Sequence, residues 1–143
     1  MKVIVHFDSK TIESESIAQL YERVGFGLAK DYLAVDDFRQ RFLDGANLFA
    51  AFSTTQSDNR LLGMVRVFSD EIFVTYVAEL CVDPDARNRG IGTALMEVIV
   101  QRFEQTAIFT EAFSGSEKLF SAVGITPKGK LVACSRAPGP FPM

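Results

Sequence analysis

Val82-Asp83-Pro84-Asp85-Ala86-Arg87-Asn88-Arg89-Gly90-Ile91-Gly92-Thr93-Ala94-Leu95 is the stretch on which the fold turns. An apolar, strand-like run over residues 72–82 stops at Asp83-Pro84, a basic turn with two glycines follows, and a helical pattern starts at Ile91. A strand, a cationic glycine turn and a helix in that order build an anion site out of main chain. The first N–H groups of a helix have no partners inside it. They lie at the positive end of the helix dipole, where phosphate is a natural ligand. Arg87 and Arg89 add side-chain charge, and Gly90 and Gly92 let a ligand approach the backbone closely.

Working outward, the 143 residues suit one domain spanning 1–143, and 48% hydrophobic content with thirteen Phe and no Trp is ample for one core. The formal net charge of −3 argues against a nucleic-acid partner, since such binders are more often basic. Cys81 and Cys134 are the only cysteines. Two thiols so far apart offer neither a metal-ligand spacing nor a disulfide framework, so no metal is expected and a reducing cytoplasm is the natural setting. The start of the chain is too soon interrupted by polar residues to read as a signal peptide. No run approaches the ~18 apolar residues of a membrane span. A soluble cytoplasmic domain is the expectation.

The spacing predicts a first strand over residues 2–7 and a helix with Ile17, Leu20, Tyr21 and Val24 on one face, ended by Gly25 and Gly27. A second helix is expected over residues 35–44, with Asp36 and Asp37 in its first turn. Strands over 47–53, 61–68 and 72–82 read as an antiparallel meander. The helix after the glycine turn, over 91–105, sets Ile91, Leu95, Val98 and Ile99 opposite Glu97, Gln101, Glu104 and Gln105. A strand over 107–110 follows it, parallel to the long strand by a right-handed crossover. A short helix over 116–123 and one or two strands within 125–137, with a turn near Lys128-Gly129, complete the pattern. Pro138, Pro140 and Pro142 leave residues 137–143 irregular.

Arg87-x-x-Gly90-x-Gly92 lacks the third glycine of a dinucleotide fingerprint and the Gly-Lys-Ser/Thr of a P-loop. It resembles the Q/R-x-x-G-x-G/A motif of the GNAT (GCN5-related) N-acetyltransferase superfamily. Leu80-Cys81-Val82-Asp83-Pro84 resembles that family's strand-ending L-x-V-x-P, and Leu119-Phe120-Ser121-Ala122-Val123-Gly124-Ile125 is similar to its late L-Y-x-x-x-G-F segment. The element order agrees across nearly the whole chain. The resemblance implies an α+β domain with a mostly antiparallel mixed sheet, a splayed parallel central pair and about four helices. It implies acetyl-CoA as co-substrate. The pyrophosphate would lie on Asn88, Arg89, Gly90, Ile91, Gly92 and Thr93 with Arg87 alongside, and pantetheine would pair with the main chain of Cys81 and Val82. Ser114 is a further cofactor contact by the same resemblance.

Glu79 stands inside an apolar strand, and alternation sets it on the face of Val77 and Cys81. A carboxylate there needs a partner or water. Its competing roles are a general base, or an anchor for the acceptor amine, and a structural group holding the backbone or an Arg. The base is needed because an attacking amine must be neutral. Phe120 departs from the family pattern, which often has a Tyr that protonates the leaving thiolate. The implied reaction is acetyl transfer to a primary amine of a small molecule by direct attack in a ternary complex. Phe120 motivates the alternative, a non-catalytic acyl-CoA-binding sensor or partner module. Cys81 is expected to pack rather than to carry an acetyl group, and so is Tyr76 unless a bulge re-aims it. Phe26, Tyr32 and Tyr76 are the candidate acceptor-site residues, Tyr32 in a loop between the first two helices. The short C-terminal part leaves room for a homodimer.

Overall fold

Runs rich in β-branched and aromatic residues pair in chain order to make the sheet. In a computed structural model, which describes residues 3–6, 12–53, 60–111, 116–137 and 139, β1 (Val3–His6), β2 (Asn47–Ser53), β3 (Leu61–Ser69) and β4 (Val74–Val82) form an antiparallel meander. The fifth strand, β5 (Ala107–Thr110), joins β4 in parallel, giving the order β1-β2-β3-β4-β5. A parallel neighbour cannot be reached by a hairpin. The crossover is α4 (Ile91–Arg102), whose Ile91, Leu95, Met96 and Ile99 are buried.

Two cores flank the sheet. On one face α4 and α5 (Glu117–Ala122) pack over Val65, Val67, Val77, Leu80 and Val82. On the other, α1 (Ser14–Arg23) and α3 (Phe38–Leu43) set Ile17, Leu20, Tyr21 and Phe42 against Met64 and Cys81. Gly63 lets α4 approach: a Cβ there would lie 3.0 Å from the Cys81 carbonyl oxygen and 3.1 Å from Ile91.

Several boundaries differ from the sequence reading. The expected second helix begins at Phe38, because Asp37 adopts a left-handed conformation (φ 55°) and serves as its N-cap. The expected loop before it contains α2 (Ala29–Leu33), so Tyr32 sits in a helix and the described helices number five. The long strand starts at Val74, since the Asp70 carboxylate accepts hydrogen bonds from the Ile72, Phe73 and Val74 N–H groups and folds that segment into a turn. Among the described residues no strand follows α5. The turn near Lys128 is present, closed by Leu131 N–H donating to the Lys128 carbonyl, and Leu131 and Val132 are exposed.

One irregularity sets which side chains of β4 share a face. Arg66 pairs with Glu79 and Val67 with Val77, leaving Ala78 as an extra residue in β4. This bulge breaks the alternation on which the sequence reading relied. Val77 packs under α4, whereas Cys81 belongs to the opposite core. Glu79 therefore does not share a face with Val77; it lies on the α1 side with Cys81, and the bulge brings Tyr76 to that same face.

Candidate functional site

The strand end at Val82 is locked before the turn begins. Asp83, 1% exposed, accepts hydrogen bonds from Arg23 Nε and Arg60 Nη2, both at 2.7 Å, and from the Asp85 N–H at 2.9 Å. Burial works against its charge, but the Asp85 N–H and the two guanidiniums outweigh burial and hold its carboxyl below the usual carboxylate range. Pro84–Ala86 form one 3₁₀ turn. Asn88 (φ 62°) and Gly90 (φ 82°) then take left-handed conformations that bend the chain into α4. Gly90, the N-cap, has no side chain to satisfy the first-turn amides.

Those amides open onto a groove of about 820 Å³. Its wall includes Arg87, Asn88 and Gly90 from the turn, Ile91, Gly92 and Thr93 from the start of α4, Glu79, Leu80 and Val82 from β4, and Phe26. Arg89 is outside that lining. Arg87 Nε donates to the Val82 carbonyl at 3.2 Å, so its guanidinium is tied to the strand end beside the turn. Gly92 is a close approach: a Cβ would lie 2.8 Å from Leu119 Cδ1.

The groove exists because β4 outruns β5. Their parallel pairing ends at Val77 with Thr110, while β4 continues to Val82. The Asp83 N–H bonds the Leu62 carbonyl on the β3 side. Counting back along an antiparallel pair, Cys81 also turns its main-chain groups to β3, and Leu80 and Val82 turn theirs to the opening. The main chain facing the groove is thus that of Leu80 and Val82. Cys81 has no place in the lining: its side chain is 2% exposed, and burial first, with the nearby Glu79 charge second, pushes its thiol up to about 12. A protonated, enclosed thiol is no nucleophile.

Glu79 is held by an arginine. Its two carboxylate oxygens accept from Arg66 Nε and Nη2, each at 2.7 Å, and Arg66 Nη1 donates to the Phe42 carbonyl at 3.0 Å. The pair is partly open, with side chains 17% (Arg66) and 25% (Glu79) exposed. The guanidinium lies 4.2 Å from the Phe42 ring centre and 5.3 Å from that of Phe68. Burial disfavours the Arg66 charge, and the Glu79 hydrogen bonds and charge more than offset it. Of the competing roles for Glu79, holding an Arg is present in the geometry. Each oxygen still has a second lone pair, so the pairing leaves room to accept a proton.

The acceptor-side candidates divide. Phe26 reaches the groove. Tyr32 does not; its hydroxyl donates to the Phe26 carbonyl and its ring packs 5.2 Å from Tyr21 and 5.9 Å from Phe38, so it fixes the segment that carries Phe26. Tyr76 is 39% exposed, which corrects the expectation of a packing role, and burial, then the Glu111 and Glu79 charges, raise its hydroxyl above the ordinary value. Phe120 is nearly buried yet touches the groove. Ser114 lies outside the described residues.

Arg66 and Asp83 with its two arginines were missed. Arg66 had a signal: a single charge in an apolar strand of a meander, with Glu79 the matching charge in the next strand. Asp83 had none, because Arg23 and Arg60 are distant in sequence.

Among the described residues no helix is long and apolar enough to cross a membrane. The model of the acetyltransferase (GNAT) family matches residues 14–120. A protein of unknown function from meticillin-resistant Staphylococcus aureus superposes with a TM-score of 0.78 at 18% identity, covering 96% of this chain and 100% of that one. Glucosamine-6-phosphate N-acetyltransferase from Arabidopsis thaliana superposes at 0.70 with 11% identity, covering 96% and 99%. At these identities the likeness is one of fold. The chloroplastic GCN5-related N-acetyltransferase 2 of Arabidopsis thaliana is 36% identical over 53 residues, which span 37% of this chain and only 20% of that protein.

Proposed function

The chain belongs to the acetyltransferase (GNAT) family, and from that premise we propose that it transfers an acetyl group from acetyl-CoA to a primary amine of a small molecule. The observation that carries this reading is continuity. One groove runs from the first-turn amides of α4, past the unpaired edge of β4, to Glu79. The residues fit the ligand in three respects. The α4 start and Arg87 suit a pyrophosphate. The outward main-chain groups of Leu80 and Val82 suit an amide-bearing arm that adds as a strand. Gly90 and Gly92 leave its path clear of side chains. Arg89 belongs to the same turn, and Ser114 stays a proposed contact.

Bound acetyl-CoA supplies an activated thioester carbonyl. Glu79, through a lone pair not used by Arg66, takes the proton that the acceptor nitrogen loses as its bond to the carbonyl carbon forms and the carbon–sulfur bond breaks. Phe120 has no proton to give, so the departing sulfur takes its proton from solvent. Attack is direct, in a ternary complex, because Cys81 is enclosed and protonated. Phe26 and Tyr76 border the acceptor. Tyr32 acts through Phe26. The proposal includes a cytoplasmic setting, no metal, no nucleic-acid or membrane partner, and a homodimer as the assembly.

The test is release of CoA thiol from acetyl-CoA with a panel of alkylamines, amino acids, polyamines, aminoglycosides and peptides. Thiol release dependent on an acceptor and lost in Glu79→Gln supports the enzyme. Saturable acetyl-CoA binding with no turnover on any acceptor, and no effect of Glu79→Gln, refutes it in favour of an acyl-CoA-binding module.

A further inference from the structure

The geometry points to a zwitterionic acceptor: the Arg66–Glu79 pair recognises a small amino acid with an apolar or aromatic side chain, Arg66 taking its carboxylate while Glu79 faces its amino group. The inference rests on the acetyl-transfer reading and narrows it to a substrate class. Any amine that reaches Glu79 arrives next to a guanidinium 2.7 Å from the same carboxylate. A simple cationic amine gains from Glu79 and loses to Arg66. A polyamine or an aminoglycoside brings further positive charge to the same place. An amine with a carboxylate two bonds away meets each charge with its opposite.

Arg66 is also equipped to accept that carboxylate. Its guanidinium has five N–H donors. Nε and one N–H of Nη2 serve Glu79, and one N–H of Nη1 serves the Phe42 carbonyl. Among the described contacts, one N–H remains on each terminal nitrogen, which leaves two donors for the two oxygens of a carboxylate. The Phe42 ring at 4.2 Å and the Phe42 carbonyl fix the plane of the guanidinium, so the remaining donors are held in place before a ligand arrives. Phe68, its ring centre 5.3 Å from the Arg66 guanidinium, and Tyr76, the cross-strand neighbour of Phe68, are both exposed and give that face an aromatic surface. Phe26 adds another from the groove. Charges of both signs within one bidentate contact, edged by rings, match an amino acid such as phenylalanine or leucine.

The experiment compares matched acceptors on the full chain with acetyl-CoA, each rate expressed per neutral amine: phenylalanine, phenylalaninamide and phenethylamine, then leucine and isoamylamine. The expected result is a kcat/KM at least about tenfold higher for each amino acid than for the analogue without its carboxylate, expressed mainly in KM. Arg66→Lys should shrink that ratio by keeping the charge and losing the fork, and Arg66→Gln should abolish it, with acetyl-CoA affinity reporting that the fold survives. Equal or better use of the analogues by the unaltered protein overturns the inference while leaving acetyl transfer intact. Absence of thiol release with every acceptor sinks acetyl transfer itself. Calorimetric titration of phenylalanine and phenethylamine onto the CoA-bound protein then decides the inference separately: tighter binding of phenylalanine upholds it, and equal binding overturns it.

Discussion

Replacing Asp83 with Ala should weaken the fold by ~2–3 kcal/mol and loosen the phosphate turn in the same stroke. The carboxylate is 1% exposed and receives three hydrogen bonds, two from guanidiniums at 2.7 Å. Removing one partner of a fully buried ion pair costs ~3–5 kcal/mol, because the other charge is stranded. Here Arg23 and Arg60 keep 28% and 35% of their side-chain surface exposed and can rehydrate, which places the cost below that range. Asp83→Asn retains an oxygen for the Asp85 N–H but gives up the net attraction, for ~1–2 kcal/mol. At ~3 °C of Tm per kcal/mol in a domain of this size, thermal unfolding should fall by ~8 °C for Ala and ~4 °C for Asn. Acetyl-CoA affinity, measured by titration, should fall in the same order, since Asp83 fixes the strand end from which the turn springs. The pH dependence carries its own sign. The folded carboxyl is held below its ordinary 3.8, so the unfolded chain takes up a proton first as the medium is acidified. The wild-type advantage over Asp83→Asn is therefore full above about pH 5 and is lost as pH falls through the lowered folded value. An unchanged midpoint for Asp83→Ala, or an advantage that persists undiminished at pH 2, would contradict this role for the Asp83 carboxylate.

Glu79→Gln keeps the shape of the side chain and loses the ability to take a proton; kcat should drop ~10²–10⁴-fold with acetyl-CoA affinity unchanged, and undiminished turnover would remove Glu79 as the base. A thiol reagent at pH 8 should modify exposed Cys134 in the native protein and reach buried Cys81 only after denaturation, so rapid modification of both would contradict the enclosed thiol. The two turn glycines should fail differently. Gly90→Ala has open space but a φ of 82°, so it should lower Tm through ~1–2 kcal/mol of backbone strain. Gly92→Ala drives a methyl toward Leu119 and should show first as weaker acetyl-CoA binding; equal Kd for both variants would contradict that division.

The parts legible in the sequence were those fixed by local chemistry. β2 and α4's start fall where the apolar pattern and Gly90 put them, and the fold class follows from the motif's setting between strand and helix. Most of the proposed cofactor side of the groove, residues 80–93, is one continuous segment, so those residues are legible from their order along the chain. The proposed acceptor side draws on α1, the α1–α2 loop, α3, β3 and β4, and no single stretch announces it. Arg66 acquires its meaning only through the register that sets it across from Glu79. Asp37 opening α3 in a left-handed conformation is a tertiary choice that residue type did not declare. The bulge could be named as an option but not located, because Ala78 is chemically bland and its neighbours fit either parity.

That alanine acts as a phase slip. A strand counts in twos, and the parity of a residue's number decides which side of the sheet it serves. Before Ala78 the odd residue Val77 faces α4; after it the even residues Leu80 and Val82 do. The same strand thus feeds one core with both parities, and the opposite side receives Tyr76 and then Glu79, three apart in number yet neighbours in the pleat. Deleting this one residue would restore a single parity along the whole strand. Every other residue would keep the side it has now, Val77, Leu80 and Val82 toward α4 and Tyr76, Glu79 and Cys81 toward α1, because Ala78 alone stands outside the alternation. The frame of the strand, rather than the identity of any side chain in it, is what keeps the Glu79 carboxylate on the α1 side, and an insertion or deletion elsewhere in β4 would invert the sides of every residue between it and one end of the strand.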